Sequence, residues 1–301
     1  MNQSLFHRLA KGAIRLANWL VGGLVLCIVV LVVCYTGYTL IDNNRVANQA
    51  GTEVFESYKP SGEDFSSFDQ LQRQNPDVFA WLTVYGTGID YPVVQGKDNE
   101  QYLNTNALGE FALSGALFVD YRNAPEFADP STIIYGHHME GSLMFGDLDQ
   151  YKNGDYFRQH RYGDVFYEGA HHGIEICAYV LADASDQVIY STQVGTSPTE
   201  QEFIDYVKEH AGQWSDGLSA TDHMLVLSTC SSGTNERHIV VARITNETYE
   251  NPYAQDTPSL ADTANQGIPL WAKVAIGVLA FIAIAWIVGA PRKQRSKRKR
   301  L

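Results

Sequence analysis

A cysteine, a histidine and an arginine stand at the ends of apolar runs and together could perform acyl transfer by a thiol. Cys230 ends the run MLVLSTC and precedes the turn SSGTNE, so we expect its thiol at the exposed end of a strand, where it can react. Arg237 opens the next apolar run, and its permanent cation beside Cys230 could lower the pKa of the thiol or stabilise an oxyanion. His137 ends the run IIYGH and could protonate a leaving amine.

Other interpretations of these residues are open at this level. His137 and His138 could bind a metal ion as a pair, but the sequence GHHME lacks the HExxH spacing of a zinc-binding helix, so we expect neither a metal nor another cofactor. Cys177 is the other cysteine of the central region, and a Cys177–Cys230 disulfide would remove the reactive thiol. The coincidence of three suitable residues at strand ends favours a catalytic site.

The chain around these candidates alternates between short β-like runs and turn signals. The runs are rich in Val, Ile, Tyr, Phe and Thr and are bounded by Gly, Asn, Asp and Pro. Eight short strands at this spacing predict a mainly-β barrel or sandwich. The runs cover residues 79–84, 89–94, 115–121, 132–138, 164–169, 173–183, 223–230 and 237–246.

Two helices are expected beside these strands. The stretch SGEDFSSFDQLQRQNPD predicts a short helix that ends before Pro76. The segment SPTE (197–200) has the form of a capping box with Pro at the first helical position, and it predicts the start of a second helix. The apolar residues that would repeat on one face of this helix are Phe203, Val207, Ala211 and Trp214.

Charge is distributed unevenly along the chain. Of 22 Lys and Arg and 34 Asp and Glu, residues 42–268 hold 11 basic residues and all 34 acids, whereas both ends are basic. The formal net charge of −12 argues against binding to a phosphate backbone, so we expect no nucleic-acid partner.

Each basic end adjoins an apolar segment that is long enough to cross a membrane. Residues 16–41 form an uncharged run of 26 residues, against the roughly 20 that a spanning helix needs. Residues 268–290 form a second apolar segment, interrupted only by Lys273 and followed by the tail RKQRSKRKRL. Because cytoplasmic flanks are enriched in Lys and Arg, we predict a two-pass membrane protein with both termini in the cytoplasm and residues 42–268 outside.

These motifs together resemble the sortase family of cysteine transpeptidases. The resemblance rests on LSTC (227–230), with Arg237 on the following strand, and on IIYGHHM (133–139). The finer similarity is to class B sortases, and the whole covers nearly all of residues 75–246. The segments that carry this finer similarity are NPDVFAWLTVYGTGIDYPVVQGKDNEQYLNTN (75–106), FVDYRN (118–123), MFGDL (144–148) and the long helix 198–212.

The resemblance implies an eight-stranded sortase-type β-barrel with flanking helices, and a catalytic role for each of the three candidates. Cys230 would be the nucleophile and His137 the acid/base. Arg237 would be the cation that stabilises the oxyanion or positions the substrate. Arg243, six residues further along the same predicted strand, is the competing arginine, and Arg237 is preferred.

Three more residues are implied in substrate binding. Ser228, two residues before the nucleophile, resembles a class B serine that contacts the sorting signal. Asn99 and Leu103 would lie on the rim of the peptide groove.

The resemblance also implies the reaction and its partners. The thiolate would attack a carbonyl within a sorting pentapeptide of a surface protein or pilin, and a thioacyl enzyme would pass the acyl chain to the amine of a peptidoglycan precursor or a pilin lysine. Such an enzyme is held in the membrane lipid of a Gram-positive bacterium. The alternatives are a hydrolytic cysteine peptidase with the same residues, and a non-enzymatic membrane-tethered β-barrel that acts as a receptor or adhesin.

The C-terminal segment departs from the class B pattern. A C-terminal helix with a basic tail resembles the pilus-building class C enzymes, although the DPF or DPW lid motif of that class is absent, so wall anchoring and pilin polymerisation both stay open. A wall-sorting signal would end in the same way, but DTPSLADTANQGIPLW contains no LPxTG-like pentapeptide, which favours a second anchor.

The predicted organisation has seven parts. These are a cytoplasmic N-terminus (1–15), a transmembrane anchor (16–41), a linker with an N-terminal helix (42–75), the catalytic domain (76–250), a second linker (251–267), a transmembrane helix (268–290) and a basic cytoplasmic tail (291–301).

Overall fold

The computed structural model describes residues 3–62, 64–230 and 235–254. Its α-helices are α1 (Gln3–Ala50), α2 (Ser66–Gln74), α3 (Gly154–Gln159) and α4 (Glu200–His210). Its strands are β1 (Val78–Val84), β2 (Asp90–Val94), β3 (Leu117–Val119), β4 (Ser131–Gly136), β5 (His138–Met139), β6 (Leu143–Met144), β7 (Tyr162–Tyr167), β8 (Ala170–Asp183), β9 (Ala211–Trp214), β10 (Met224–Cys230) and β11 (Glu236–Thr245). The predicted transmembrane helix 268–290 and basic tail 291–301 lie outside the described residues, as does most of the linker 251–267.

Helix α1 contains the whole of the predicted N-terminal anchor. Within it, Phe6–Thr39 is a segment of 34 residues whose mean hydropathy reaches 2.7, so it can cross a membrane by length and composition. The helix extends beyond the predicted span 16–41 at both ends, because no proline interrupts its hydrogen-bond ladder. Helix α1 therefore includes residues 42–50 of the predicted linker 42–75, and the carbonyl of Ala50 accepts a hydrogen bond of 2.8 Å from the Tyr91 hydroxyl.

Eight strands close into a barrel, in the order β1-β2-β3-β4-β10-β11-β8-β7, with β7 pairing back to β1. The pairing of β8 with β11 closes the circle, so each of these strands has a partner on both sides. Two neighbouring pairs, β2 with β3 and β4 with β10, are parallel, and the other six are antiparallel. The prediction of an eight-stranded barrel is confirmed, and the sandwich alternative is wrong.

Each of the eight predicted runs overlaps one barrel strand, because alternation and turn residues mark the strands well. Three shorter strands were not predicted. β5 and β6 form a separate hairpin with strands of two residues directly after His137. β9 pairs with residues 178–180 of the long strand β8, beyond the part of β8 that pairs with β7.

Two apolar cores lie on opposite faces of the strand that carries Cys230. Leu225 and Leu227 point into the barrel interior, whereas Met224 and Val226 pack in a second cluster that includes side chains of α4. Since successive strand residues face opposite sides, the unbroken apolar run MLVL follows from burial of both faces. This packing fixes the strand, and Cys230 lies where the apolar run stops.

Helix α4 forms part of the second core, but its boundaries differ from the predicted 198–212. Thr199 is the N-cap, and a capping box joins it to Glu202, so Pro198 precedes the cap instead of occupying the first helical turn. Phe203 and Val207 are buried as expected. The residues Ala211 and Trp214, expected on the same helical face, belong to β9, because the backbone becomes extended at Ala211 and pairs with β8.

Candidate active site

Two strand pairings bring the three predicted catalytic residues to one edge of the barrel. β10 and β11 pair antiparallel, with Cys230 opposite Arg237. β4 and β10 pair in parallel, with Gly136 opposite Thr229, and His137 is the next residue after β4. His137, Cys230 and Arg237 therefore lie side by side in the backbone of three adjacent strands.

A cavity of about 950 Å³ opens beside this edge. A second wall of the cavity comes from residues 184–193, in the segment between β8 and α4. This volume is typical of a site that holds a small molecule or a peptide segment. Among the side chains that the structure describes, its lining contains the predicted site residues Asn99, Leu103, His137, Ser228 and Arg237.

The imidazole of His137 is held by a backbone carbonyl. Its Nε2 lies 2.9 Å from the oxygen of Leu103. Because a carbonyl oxygen can only accept a hydrogen bond, Nε2 carries the proton, and Nδ1 is the ring nitrogen that remains for a second partner. Leu103 thus contributes a main-chain group to the site, in addition to a half-exposed side chain on the cavity rim.

The two candidate arginines of β11 have different surroundings. Arg243 donates from Nε and Nη2 to Oε2 of Glu175, at 3.0 and 2.7 Å, and it lies 3.7 Å from Asp222. Glu175 is buried and also binds Arg161, so Arg243 belongs to a structural ion-pair network. Arg237 lines the cavity, which favours it over Arg243 as the cation of the site.

Cys177 is a buried free thiol and does not form the alternative disulfide. Burial raises the pKa of Cys177 to about 12, so its thiol is protonated and unreactive at neutral pH. The two cysteines of α1, Cys27 and Cys34, are exposed on the apolar helix.

A pair of tyrosines in the cavity wall was not predicted. The rings of Tyr135 and Tyr190 stack with centroids 6.2 Å apart and planes 18° from parallel. The Tyr190 hydroxyl is 3.0 Å from Oγ of Ser228, so this serine is already hydrogen-bonded within the wall and is only 2% exposed. Tyr135 could have been found, because it precedes His137 by two residues in IIYGH, whereas Tyr190 carries no comparable signal.

Within the part of the chain that the structure describes, no group of three or more His, Cys, Asp or Glu side chains could hold a metal ion. His138 is turned toward Asp149, with Nε2 3.8 Å from Oδ2, and this pair lies beside His238.

The different surroundings of the two arginines predict different effects on stability. Arg243→Gln should lower the free energy of unfolding by about 2 kcal/mol, because the buried Glu175 loses hydrogen bonds from a charged partner. Arg237→Gln should leave this free energy unchanged, since its guanidinium faces a cavity. Urea unfolding followed by circular dichroism measures both, and equal destabilisation by the two substitutions would contradict the assignment.

Comparisons with known proteins agree with this geometry. The family model described as the sortase domain matches residues 82–245. Sortase B of Listeria monocytogenes is 34% identical over 174 residues, which cover 57% of this chain and 70% of that protein. The crystal structure of sortase B from the type II pilus of Streptococcus pneumoniae has 42% identity and a TM-score of 0.52, covering 62% of this chain and 100% of that one. A Streptococcus pyogenes class B sortase involved in pilus biogenesis has 37% identity and a TM-score of 0.55, covering 59% and 97%.

Proposed function

Because the chain belongs to the sortase family of cysteine transpeptidases and has class B relatives, we propose that it cleaves the sorting signal of a surface protein. In the same reaction it joins the new carboxyl end of that protein to an amine. The observation that carries the proposal is the meeting of His137, Cys230 and Arg237 on adjacent strands. A peptide-sized cavity lies directly beside them.

In the proposed first half-reaction, the Cys230 thiolate attacks a backbone carbonyl carbon of the bound signal. A C–S bond forms, the carbonyl oxygen becomes an oxyanion, and the guanidinium of Arg237 stabilises this charge. The C–N bond then breaks, and protonated His137 gives its proton to the leaving amine. The product is a thioester between Cys230 and the N-terminal part of the substrate.

In the second half-reaction, an acceptor amine attacks the thioester carbonyl. His137, now neutral, takes the proton of the attacking amine, the new amide bond forms, and the C–S bond breaks to restore the thiolate. The hydrogen bond from Nε2 to the Leu103 carbonyl keeps the ring in one orientation during both proton transfers.

We further propose that the acceptor is a lysine side chain of a pilin, in preference to the amine of a peptidoglycan precursor. Two of the matched solved structures are sortases of pilus systems, from Streptococcus pneumoniae and Streptococcus pyogenes. Both acceptors are cationic amines at neutral pH, so the acidic charge of residues 42–268 would attract either of them and does not distinguish the two.

The proposed reaction can be tested with the full-length protein in detergent micelles. The substrates are NPxTN-like and LPxTG-like peptides, each offered with an Nα-blocked lysine amide, with triglycine, or with no amine, and products are read by mass spectrometry. An amide between the cleaved peptide and lysine is the expected product. Cleavage to a free acid even in excess amine would make the protein a hydrolytic peptidase, and no cleavage of any peptide would favour the receptor or adhesin.

Substitutions of the three catalytic candidates should each lower or abolish turnover without unfolding the barrel. We expect Cys230→Ala to abolish cleavage, and His137→Ala to lower its rate by about 10²–10⁴-fold. Arg237→Lys should lose about 10²-fold, because a point charge does not reproduce the planar donors of a guanidinium. Arg243→Lys is the matched control, and a loss there that exceeds the loss at Arg237 would overturn the assignment.

We propose that α1 anchors the protein and that both termini lie in the cytoplasm, with the barrel outside. Green fluorescent protein fused to the C-terminus should then fluoresce, and alkaline phosphatase fused after residue 250 should be active, because the two reporters function only inside and only outside, respectively. An active phosphatase together with a dark C-terminal fluorescent protein would contradict a second membrane crossing.

A further inference from the structure

Asp120 is a fully buried carboxylate directly behind the wall of the cavity. It follows the last residue of β3, and its side chain is 0% exposed. A buried ionised group is costly unless hydrogen bonds surround it, so its contacts define its role. Burial by itself would raise the pKa of Asp120, but hydrogen bonds from Arg122 and Asn99 lower it overall, so the group is an anion at neutral pH.

Both oxygens of Asp120 accept hydrogen bonds from groups that line the cavity. Oδ2 accepts from Nη2 of Arg122 at 2.7 Å, from Nδ2 of Asn99 at 3.0 Å and from the Tyr135 hydroxyl at 3.0 Å. Oδ1 accepts from the backbone N and from Nε of Arg122, at 3.0 and 2.9 Å. Asn99, Arg122 and Tyr135 all line the cavity, although they come from three separate segments of the chain.

The contacts continue from this carboxylate to the strand of the proposed nucleophile. Tyr135 stacks on Tyr190, and the Tyr190 hydroxyl is hydrogen-bonded to Ser228, two residues before Cys230. The carboxylate of Asp120 thus holds the residues of one wall of the cavity. Through Tyr135 and its stacking on Tyr190, it is also connected to the opposite wall.

The backbone around Asp120 does not depend on its carboxylate. Its amide N donates to the carbonyl of Ile133 at 2.9 Å, and its own carbonyl accepts from Nε2 of Gln95 at 3.1 Å. β3 also pairs with β4 through Phe118 and Val119. Loss of the charge should therefore disturb the cavity wall more than the fold.

We propose that Asp120 is the positioning residue of the substrate-binding wall, holding Asn99, Arg122 and Tyr135 in the one arrangement that accepts the sorting peptide. The proposal rests on the proposed sortase function. An asparagine cannot replace the carboxylate, because every partner of Asp120 is a donor and an amide would turn its own N–H groups toward one of them.

The test compares Asp120→Asn with Asp129→Asn in the full-length protein. Asp129 is the matched control, since it also accepts hydrogen bonds, from Asn123 and from the amide of Ala124, but does not line the cavity. For Asp120→Asn we expect kcat/KM for the peptide to fall roughly 10- to 100-fold, mainly through KM, because the wall is displaced from its binding geometry. Alkylation of Cys230 by iodoacetamide, which needs no peptide wall, should keep its wild-type rate in both variants.

A second variant tests the hydrogen bond from Tyr135 to Asp120 apart from any general loss of stability. Tyr135→Phe removes one donor to Asp120 and keeps the stacked ring, so it should raise KM less than Asp120→Asn does. In the double variant the effects should be smaller than the product of the two single changes, because the two groups act through one contact. Independent, multiplicative effects would contradict the proposal.

A readout without turnover keeps this inference distinct from the proposed function. NMR spectra are recorded for the Cys230→Ala protein and for two double variants that also carry Asp120→Asn or Asp129→Asn. The side-chain amide signals of Asn99 should shift in the double variant with Asp120→Asn and should stay in place in the one with Asp129→Asn. If the wild-type protein cleaved no peptide, the proposed sortase function would be contradicted. The Asn99 signals would still show whether Asp120 holds the side chain of Asn99. Equal kcat/KM for Asp120→Asn and Asp129→Asn, or unmoved Asn99 signals, would overturn the positioning role.

Discussion

The register of three adjacent strands is the constraint on which the site depends. The parallel pairing of β4 with β10 sets Gly136 opposite Thr229, and the antiparallel pairing of β10 with β11 sets Cys230 opposite Arg237. Because side chains alternate along a strand, a slip of one residue in either pairing would move a member of the site to the wrong face of the barrel. Apolar burial on both faces of β10 resists such a slip, since a shift of one residue would place the hydroxyl of Ser228 where Leu227 now packs in the barrel interior.

Charge is used in two distinct ways within the barrel. Glu175 and Asp120 are buried carboxylates that accept hydrogen bonds from arginines, and each orders the segments around it. Arg237, in contrast, lines a cavity in a region whose formal charge is otherwise strongly acidic. Arg237 lies at the end of the β10–β11 pairing, opposite Cys230, which places its guanidinium beside the position where we propose that an oxyanion develops.

The sequence allowed the strands and the strand-end residues to be predicted, because both depend on local patterns. MLVLSTC followed by SSGTNE marks where an apolar strand stops, and IIYGHH marks a second such end. The start of α4 was misplaced because SPTE and the capping box of Thr199 and Glu202 overlap, and the local sequence does not separate them. The closure of β8 on β11 joins segments more than fifty residues apart and could not be derived from spacing. For the same reason no sequence signal linked Asp120 to Asn99 and Tyr135, which lie 21 and 15 residues away along the chain.

The proposed reaction requires Cys230 to carry the acyl chain of the substrate between the two half-reactions. Intact mass spectrometry can detect this acyl enzyme when the full-length protein is incubated briefly with a sorting peptide and no acceptor amine and is then quenched in acid. Peptide mapping of the quenched protein identifies the modified residue. We expect an added mass equal to the N-terminal peptide fragment, bound as a hydroxylamine-sensitive thioester at Cys230. Peptide cleavage with no adduct, or an adduct at Cys177, would contradict it.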